Sequence, residues 1–299
     1  MAEPLGLEEV RRALAEDRAS EDVTTRLLGA AAQAPACADF VAEGRFVVAG
    51  LPVVARVYEA LDRDARVATL GAEGEWTAAG AVLIRVQAAA GTLLAGERVA
   101  LNFLQRLSGI ATLTRRAVDA VAGTGARITH TRKTTPGLRA LERYAVRAGG
   151  GVENRGSLAD AVLWKDNHWA LLGADGLAAA LRRAAPGTPL VVEVETDAQL
   201  DEALAAGVRH ILVDNQTPEG VAAWVRRAGP GVTVQASGGI RAESARAYAA
   251  AGAHLIAIGE LTHSAPAAPI RCDILAPGAS SSLDRISESL RIGRGGRAP

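Results

Sequence analysis

The sequence predicts an α/β protein whose second half is a barrel of parallel strands. Short apolar runs recur at 126–129, 161–164, 190–194, 210–213, 232–236 and 254–258, and Ala- and Arg-rich stretches with helical spacing separate the later runs. This alternation is typical of βα units, and runs that are apolar throughout are typical of parallel strands buried on both faces. A barrel is favoured over a doubly wound sheet because polar residues or glycine follow nearly every run, and reactive groups in barrels lie at the C-terminal strand ends. These residues are Arg132, Lys165, Glu195, Asp214, Ser237 and Gly259.

The region before residue 126 predicts a mixture of helices and strands. Helices are predicted over 7–15 and 53–61, where apolar residues follow three- and four-residue spacing, and strands over 36–48 and 82–88. A long helix is predicted over 95–121, with Ser108-Gly109 as the point at which it could break. Past Ile274 the composition shifts to Ser, Gly, Pro and Arg, which predicts a short helix over 284–290 and a disordered tail over 291–299.

The overall charge and cysteine content exclude several classes of protein. The 299 residues carry 33 basic and 33 acidic side chains, and this balance argues against non-specific nucleic-acid binding, which needs a basic excess. Cys37 and Cys272 have neither metal-site spacing nor a disulfide framework, and the acidic N-terminus lacks the apolar segment of a signal peptide. No apolar run is long enough to span a bilayer. We therefore expect a cytoplasmic protein with no nucleic-acid or membrane partner.

Basic side chains follow two of the predicted strands directly. Arg132-Lys133 comes after the run at 126–129, and Lys165 comes after the run at 161–164. Charge at the end of a buried strand is costly unless an anion meets it, so these residues predict a site for a small molecule with several negative charges. The alternative for Arg132-Lys133 is an exposed loop. Lys165 could equally be a Schiff-base nucleophile, an anion contact or a structural partner of Asp166.

Carboxylates and glycine loops follow the later strands. Glu195 and Asp214 end two successive strands, where a pair of carboxylates suits Mg²⁺ or sugar hydroxyls; a helix cap and a surface acid would be the structural alternative. Ser237-Gly238-Gly239 and Gly259 follow the last two strands, as expected of backbone amides that bind a phosphate. His263 lies just beyond and could donate to that phosphate.

Other polar and aromatic residues are expected to be structural. His210 and His254 stand at the starts of strands, which is the end of a barrel opposite to the expected site. Trp164 and Trp169 are expected to pack in the protein rather than stack on a substrate.

Several segments, in order along residues 5–275, resemble the type II phosphoribosyltransferases, specifically the quinolinate phosphoribosyltransferase family. The most specific are LNFLQRLSGIAT at 101–112 and TRKTTPGLR at 131–139. Further matches lie at 97–98, 149–151, 165–168, 193–195, 213–215, 236–240 and 261–264. The resemblance implies an N-terminal α/β sandwich domain over 1–112, joined by residues from about 272–290, and an open parallel α/β barrel over 113–271. It also implies a homodimer with shared active sites, with a hexamer left open as the further assembly.

The resemblance also implies the reaction and the roles of individual residues. Phosphoribosyl diphosphate and quinolinate would give nicotinate mononucleotide, diphosphate and CO₂, with Mg²⁺ held mostly through the diphosphate. Lys133, Lys165, Glu195 and Asp214 would be catalytic, with Glu195 and Asp214 facing the ribose and the metal. The substrate-binding residues would be Arg98 from the partner subunit, Arg132, Lys133, Asn154, Arg155, Lys165, Ser237, Gly238, Gly239, Gly259 and His263.

Four positions depart from the family pattern. The family usually reads GGGxNHR where this chain reads GGGVENR at 149–155, so Glu153 and Asn154 replace asparagine and histidine. His130 and Gln235 each stand where the family has an acid. Because an amide cannot supply the charge of a histidine, two interpretations stay open: an ordinary quinolinate enzyme, or a related enzyme for another aromatic or heterocyclic acid. A silent nucleotide-binding protein and a Schiff-base aldolase that uses Lys165 are the alternatives from other classes.

Overall fold

The computed structural model describes residues 5–172 and 176–275, which form two compact units. The first unit contains the described residues up to Gly109 and those from Pro266, and the second contains Ile110–Ala265. The helices are α1 (Leu7–Glu16), α2 (Val23–Arg26), α3 (Leu51–Leu61), α4 (Ala90–Ala120), α5 (Arg139–Ala148), α6 (Asp166–Ala170), α7 (Gly176–Leu181), α8 (Asp197–Ala205), α9 (Pro218–Ala228), α10 (Ala245–Ala250) and α11 (Glu260–His263). The strands are β1 (Pro35–Ala42), β2 (Arg66–Thr69), β3 (Val82–Ala89), β4 (Arg127–Thr129), β5 (Val162–Trp164), β6 (Leu190–Val194), β7 (His210–Asp214), β8 (Thr233–Ser237), β9 (Leu255–Ala257) and β10 (Ile270–Leu275).

The first unit is built on an antiparallel sheet with the strand order β10-β1-β3-β2. Strand β10 comes from the far end of the described chain and pairs along β1, so the sheet combines both ends of the sequence. The short and mostly exposed edge strand β2 was not predicted, because four residues without a buried face carry little periodic signal. Residues 284–299, for which a helix and a disordered tail were predicted, lie outside the described residues.

Two predicted boundaries in the first unit were wrong. The strand predicted over 36–48 ends at Ala42, and beyond it Val47 forms an isolated bridge to Trp76. Helix α4 starts earlier than predicted and runs through Ser108-Gly109 without a break. The Ser108 hydroxyl donates to the Ala49 carbonyl at 3.1 Å and accepts from the Ala49 amide at 3.0 Å. The polar residue therefore ties the helix to a neighbouring segment instead of ending it.

The second unit is the open parallel barrel that the sequence predicted. Its six strands run parallel in the order β4-β9-β8-β7-β6-β5. The first strand of the series pairs with the last, whereas β4 and β5 are not paired within the described residues, and the barrel is open at that point. Each strand falls within about two residues of a predicted apolar run. Side chains along a strand alternate between its two faces. Val192, Val194 and Val213 are buried on the outer face of the sheet, whereas Val191 and Glu193 point into the barrel.

Among the described residues, no helix combines the length and the apolarity needed to cross a bilayer.

The close approach of α4 to the chain at Pro266 gives a test of this packing. A Cβ atom at Gly109 would lie 2.0 Å from the Pro266 carbonyl oxygen. We expect Gly109→Ala to destabilise the protein by ~1–3 kcal/mol, because backbone would have to move. Gly220→Ala is the control, since the three atoms nearest to its Cβ would belong to side chains, with the flexible end of Gln216 nearest at 3.0 Å, and alanine favours helix α9. Thermal unfolding should show a lower midpoint temperature for Gly109→Ala than for the wild type and Gly220→Ala. Equal midpoints for all three proteins would contradict the close contact between Gly109 and Pro266.

Candidate active site

A cavity of about 600 Å³ lies in the second unit. Its wall combines loop residues at the C-terminal ends of the strands with strand residues that point into the barrel. The lining residues are Thr131, Arg132, Lys133, Glu153, Asn154, Arg155, Asp160, Ala161, Leu163, Lys165, Pro189, Val191, Glu193, His210, Leu212, Asp214, Gln235, Ser237 and Ala257. The parallel strands therefore bring together residues that are more than 100 positions apart in the sequence.

Two arginines in the wall have no carboxylate partner within the described part of the chain. Arg132 follows β4, and its Nε atom is buried without a hydrogen-bond partner. Arg155 makes one long contact, from Nη1 to the Ala161 carbonyl oxygen at 3.4 Å. Burial, and to a smaller extent the nearby charge of Arg132, lowers the pKa of Arg155. Two like charges held together at a half-buried wall are suited to binding an anion.

Lys165 lies beside a buried carboxylate that the sequence argument did not select. Its Nζ atom donates to Glu193 Oε2 at 2.9 Å, and Glu193 is 4% exposed. Burial raises the pKa of Glu193, while the hydrogen bond from Lys165 acts in the opposite direction. Trp164 of β5 pairs with Val192 of β6 in the parallel sheet, so the residues that follow them, Lys165 and Glu193, lie side by side.

Glu195, the predicted catalytic carboxylate, is exposed and is not one of the residues that line the cavity. Strand β6 ends at Val194, and the backbone amide of Glu195 bonds to the Gln199 side chain at the start of α8. The chain therefore turns away before Glu195 can share the inward side of Glu193. The signal available in the sequence was a charged residue inside the otherwise apolar run 190–194, which is costly without a partner.

Asp214 at the end of β7 and the loop Gly238-Gly239 after β8 lie next to each other. Asp214 ends β7 directly opposite Ser237 of β8, and both line the cavity. Gly238 has φ +87°, and a Cβ there would lie 2.3 Å from Asn215 Oδ1. Gly239 also has a positive φ, of +62°. This turn requires glycine and exposes backbone close to the cavity mouth.

The last strand brings a third loop to the same side. A Cβ at Gly259 would lie 3.1 Å from His263 Nε2 and 3.3 Å from Lys133 Cδ, so these three residues lie together. The Thr262 hydroxyl donates to the Lys133 carbonyl at 2.8 Å, which ties this loop to the loop after β4. Arg98, the remaining predicted site residue, belongs to α4 in the first unit, where its side chain is exposed.

Two family models match the chain over most of its length. The model for the N-terminal domain of quinolinate phosphoribosyl transferase matches residues 22–108, and the model for its C-terminal domain matches residues 110–273. The chain belongs to the quinolinate phosphoribosyltransferase family. The resemblance inferred from the motifs is therefore confirmed.

Relatives and solved structures agree with membership of the quinolinate phosphoribosyltransferase family. A carboxylating nicotinate-nucleotide pyrophosphorylase of Mycobacterium leprae is 44% identical over 280 residues, which cover 89% of this chain and 95% of the relative. A probable enzyme of the same name from Bacillus subtilis is 40% identical over 239 residues, 79% of this chain and 83% of the relative. The crystal structure of nicotinate-nucleotide pyrophosphorylase from Ehrlichia chaffeensis has a TM-score of 0.85 and 34% identity, covering 92% of this chain and all of that one.

Three of the departures from the quinolinate phosphoribosyltransferase pattern contact one another. Glu153 Oε2 lies 3.2 Å from His130 Nε2, and Glu153 also pairs with Arg143 and Arg147 on α5. Burial alone would raise the pKa of Glu153, but the hydrogen bonds from Arg143, His130 and Arg147 outweigh it and lower this pKa to about 2. Asn154 has a partner for each of its side-chain polar atoms within the protein, because Nδ2 donates to the His130 carbonyl and Oδ1 accepts from the Arg155 amide.

The fourth departure, Gln235, pairs with a histidine inside the barrel. His210 Nε2 lies 2.9 Å from Gln235 Oε1, and both residues line the cavity. Burial lowers the pKa of His210, so the imidazole is neutral near pH 7. His210 was expected to lie at the far end of the barrel from the site, yet it lines the cavity, because the cavity extends along the strands to their N-terminal ends.

Proposed function

We propose that this chain transfers the phosphoribosyl group of phosphoribosyl diphosphate to quinolinate. The products are nicotinate mononucleotide for NAD biosynthesis, diphosphate and CO₂. The observation that carries the proposal is a pair of guanidiniums, Arg132 and Arg155, that lack a carboxylate partner among the described residues and share one wall with Lys133 and Lys165. Both substrates are polyanions, and bringing them together requires fixed positive charge around them.

The acceptor carboxylates are assigned to Arg132 and Arg155. A guanidinium presents paired N–H donors that match the two oxygens of a carboxylate, and the buried Nε of Arg132 lacks any other acceptor among the described residues. Asn154 is assigned to the support of Arg155, because its side-chain oxygen holds the Arg155 amide at 2.8 Å. In this arrangement two arginines bind the carboxylates of the acceptor, instead of one arginine and the histidine that the family usually has at position 154.

The reaction centre is assigned to Lys165, Glu193 and Asp214. The bond from the ribose anomeric carbon to the diphosphate oxygen breaks, that electron pair leaves with diphosphate, and the ring nitrogen lone pair forms the new bond. Carboxylates beside the anomeric carbon would stabilise the positive charge that it develops. The bond to the 2-carboxylate then breaks, the carboxyl carbon leaves as CO₂, and its electron pair stays on the ring carbon, which the pyridinium nitrogen stabilises until a proton arrives.

The phosphates are assigned to the loops that follow β4, β8 and β9. Gly238, Gly239 and Gly259 would present backbone amides to the 5-phosphate, and Lys133 and His263 would add charge-assisted donors. Among the described residues, no cluster of three or more carboxylate, histidine or cysteine side chains could hold a metal ion. Asp214 on the cavity wall would help to hold Mg²⁺ that is bound mainly by the substrate diphosphate, and the ion would supply positive charge against the leaving diphosphate.

The proposed assembly is a homodimer with shared active sites, in which Arg98 of each subunit reaches the site of the partner subunit. A hexamer is proposed as the further assembly. The support is the motif match at 97–98 and the exposure of Arg98. The cytoplasm is the proposed location, because Cys37 and Cys272 are both free thiols, as is usual in a reducing compartment.

A second candidate function is transfer to a different aromatic or heterocyclic acid. The neutral pair His210–Gln235 and the engaged side chain of Asn154 favour it, because both change the groups that face or support an acceptor. The Schiff-base aldolase is disfavoured, because the hydrogen bond from Lys165 to Glu193 stabilises the charged ammonium instead of a neutral amine.

Purified protein with Mg²⁺, phosphoribosyl diphosphate and quinolinate is expected to release one CO₂ and one nicotinate mononucleotide for each diphosphate. Chromatography of the nucleotide and capture of CO₂ measure this ratio. A parallel screen of other pyridine and aromatic acids follows diphosphate release. Product from another acid but not from quinolinate would overturn the proposed acceptor, and no diphosphate release with any acid would support a silent nucleotide-binding protein.

Glu193→Gln and Glu195→Gln form a matched pair. We expect Glu193→Gln to lower kcat by ~10²-fold or more, because a buried charge beside the reaction centre is lost, while Glu195→Gln changes kcat by less than about threefold. Steady-state rates with both substrates saturating provide the comparison. A larger decrease in kcat for Glu195→Gln than for Glu193→Gln would show that Glu195 is the catalytic carboxylate.

Arg98→Ala and Lys165→Ala subunits are expected to complement each other. If each site takes Arg98 from one subunit and Lys165 from the other, mixed dimers contain one intact site of two. Co-refolding the two inactive variants should then restore about one quarter of wild-type activity, given random pairing. Activity no higher than that of either variant alone would mean that the residues act within one subunit.

A further inference from the structure

We propose that Arg139 is a positioning residue that fixes the spacing between Arg132 and Arg155. Its guanidinium bridges the open side of the barrel and holds the two segments of chain that carry these arginines. The role of the pair in binding an acceptor with two carboxylates rests on the proposed function, whereas the bridge rests on the contacts of Arg139 itself.

The segment 151–156 lies on the open side of the barrel, where β4 and β5 are not paired within the described residues. The Val152 amide donates to a carbonyl of β4 at 2.8 Å, and the Thr129 hydroxyl donates to the Val152 carbonyl at 2.8 Å. On the side of β5, the contact from Arg155 Nη1 to the Ala161 carbonyl is long, at 3.4 Å. Because the pairing with β4 is an isolated bridge at Val152, side-chain contacts have to position Arg155.

One guanidinium joins this segment to the loop after β4. Arg139 Nε donates to Thr134 Oγ1 at 3.0 Å, and Arg139 Nη1 donates to the Gly156 carbonyl at 3.1 Å. The Thr134 amide donates to the Arg132 carbonyl at 2.9 Å, so the first contact holds the turn that carries Arg132. The second contact holds the residue directly after Arg155. Because a guanidinium is planar and its donors have a fixed separation, this side chain sets the distance between the two loops.

Arg155 is held from both sides along the chain. Before it, the Asn154 side chain donates to the His130 carbonyl at 3.1 Å and accepts from the Arg155 amide at 2.8 Å, which ties the segment to the end of β4. After it, Arg139 supplies the second tie through the Gly156 carbonyl. Loss of Arg139 would therefore leave Arg155 attached to the loop after β4 from one side, and the spacing of the two guanidiniums would widen or vary.

Helix α5 supports the same segment at a second point. A Cβ atom at Gly156 would lie 2.0 Å from Arg143 Nη1, and Gly156 is buried, so glycine leaves the room that the Arg143 side chain occupies. Arg143 follows Arg139 by four residues, on the same face of the helix, and also pairs with Glu153. Two arginines of one helix face therefore pack against the segment that carries Arg155.

The stability of α5 does not account for Arg139. Arg139 is the first residue of α5, where the helix dipole favours an acid and disfavours a cation. In the part of the chain that the structure describes, Arg139 forms no ion pair with a carboxylate, and it does not line the cavity. Its position is explained by the two loops that it joins, and it acts on a ligand through Arg132 and Arg155.

The first test measures binding without turnover. Benzene-1,2-dicarboxylate has two neighbouring carboxylates, as quinolinate has, but no ring nitrogen to react, and benzoate has one carboxylate. Calorimetry should show that Arg139→Met weakens binding of the dicarboxylate by about tenfold, the effect of two lost hydrogen bonds, and binding of benzoate by less than about twofold. Arg139→Lys keeps the charge but not the planar fork, so its affinity for the dicarboxylate should remain reduced.

Arg227→Met is the matched control. Arg227 of α9 makes three hydrogen bonds to Asp197 and Asp201 of α8, and none of these residues lines the cavity. This variant loses as many side-chain contacts as Arg139→Met, or more, in the same unit of the protein. Its affinity for benzene-1,2-dicarboxylate should equal that of the wild type.

The second test is a double-mutant cycle on KM for quinolinate. Thr134→Val removes the Oγ1 acceptor without changing α5, and it should raise this KM by about threefold. The double variant with Arg139→Met should have no higher KM than Arg139→Met alone, because both changes remove the same contact. Since Lys165 and Glu193 do not contact Arg139, kcat should change by less than about threefold in every variant.

Weaker binding of the dicarboxylate in Arg139→Met, with no product from quinolinate in the wild type, would refute the proposed acceptor and leave this inference standing. Three results would overturn the inference: equal losses for benzoate and the dicarboxylate, wild-type affinity in Arg139→Lys, or increases in KM that multiply in the double variant.

Discussion

Two half-buried guanidinium groups, Arg132 and Arg155, share one wall and form no ion pair with a carboxylate among the described residues, and the rest of the site depends on this constraint. Holding like charges together is unfavourable unless an anion joins them. The nearby acids are engaged elsewhere: Glu153 by two arginines of α5, Asp160 by loop amides, and Glu193 by the lysine after β5. The fold thus keeps acids close to the cavity while leaving the two arginines available to a ligand.

The barrel explains how charges from distant parts of the sequence reach one cavity. Parallel strands end on one side, so the residues that follow β4, β5, β7, β8 and β9 meet there. The pairing register then decides which residues face inward, as at Lys165 and Glu193. The loops after β4 and β9 are tied together by the hydrogen bond from the Thr262 hydroxyl to the Lys133 carbonyl, which limits movement of Lys133. Anion binding is therefore prepared by the architecture rather than by a single motif.

The sequence predicted the barrel well because its strands are short apolar runs bounded by charge. It also predicted the cations of the site, since Arg132 and Lys165 directly follow such runs. It selected Glu195 and not Glu193, although of these two only Glu193 lines the cavity, because it did not show that β6 ends at Val194 between them. It failed at His210 because the depth of the cavity is set by side chains from several strands. In the first unit, the edge strand β2 and the unbroken helix at Ser108 depend on tertiary contacts that no local pattern contains.

We propose that Arg132 and Arg155 lack a carboxylate partner in the protein because they bind the carboxylates of the acceptor acid. A crystal structure of the protein with quinolinate tests this most directly. We expect both guanidiniums to lie within hydrogen-bond distance of the bound carboxylates and the Arg132 Nε to gain an acceptor. Quinolinate bound elsewhere, with the two arginines turned to solvent or paired with acids of the protein, would contradict this role.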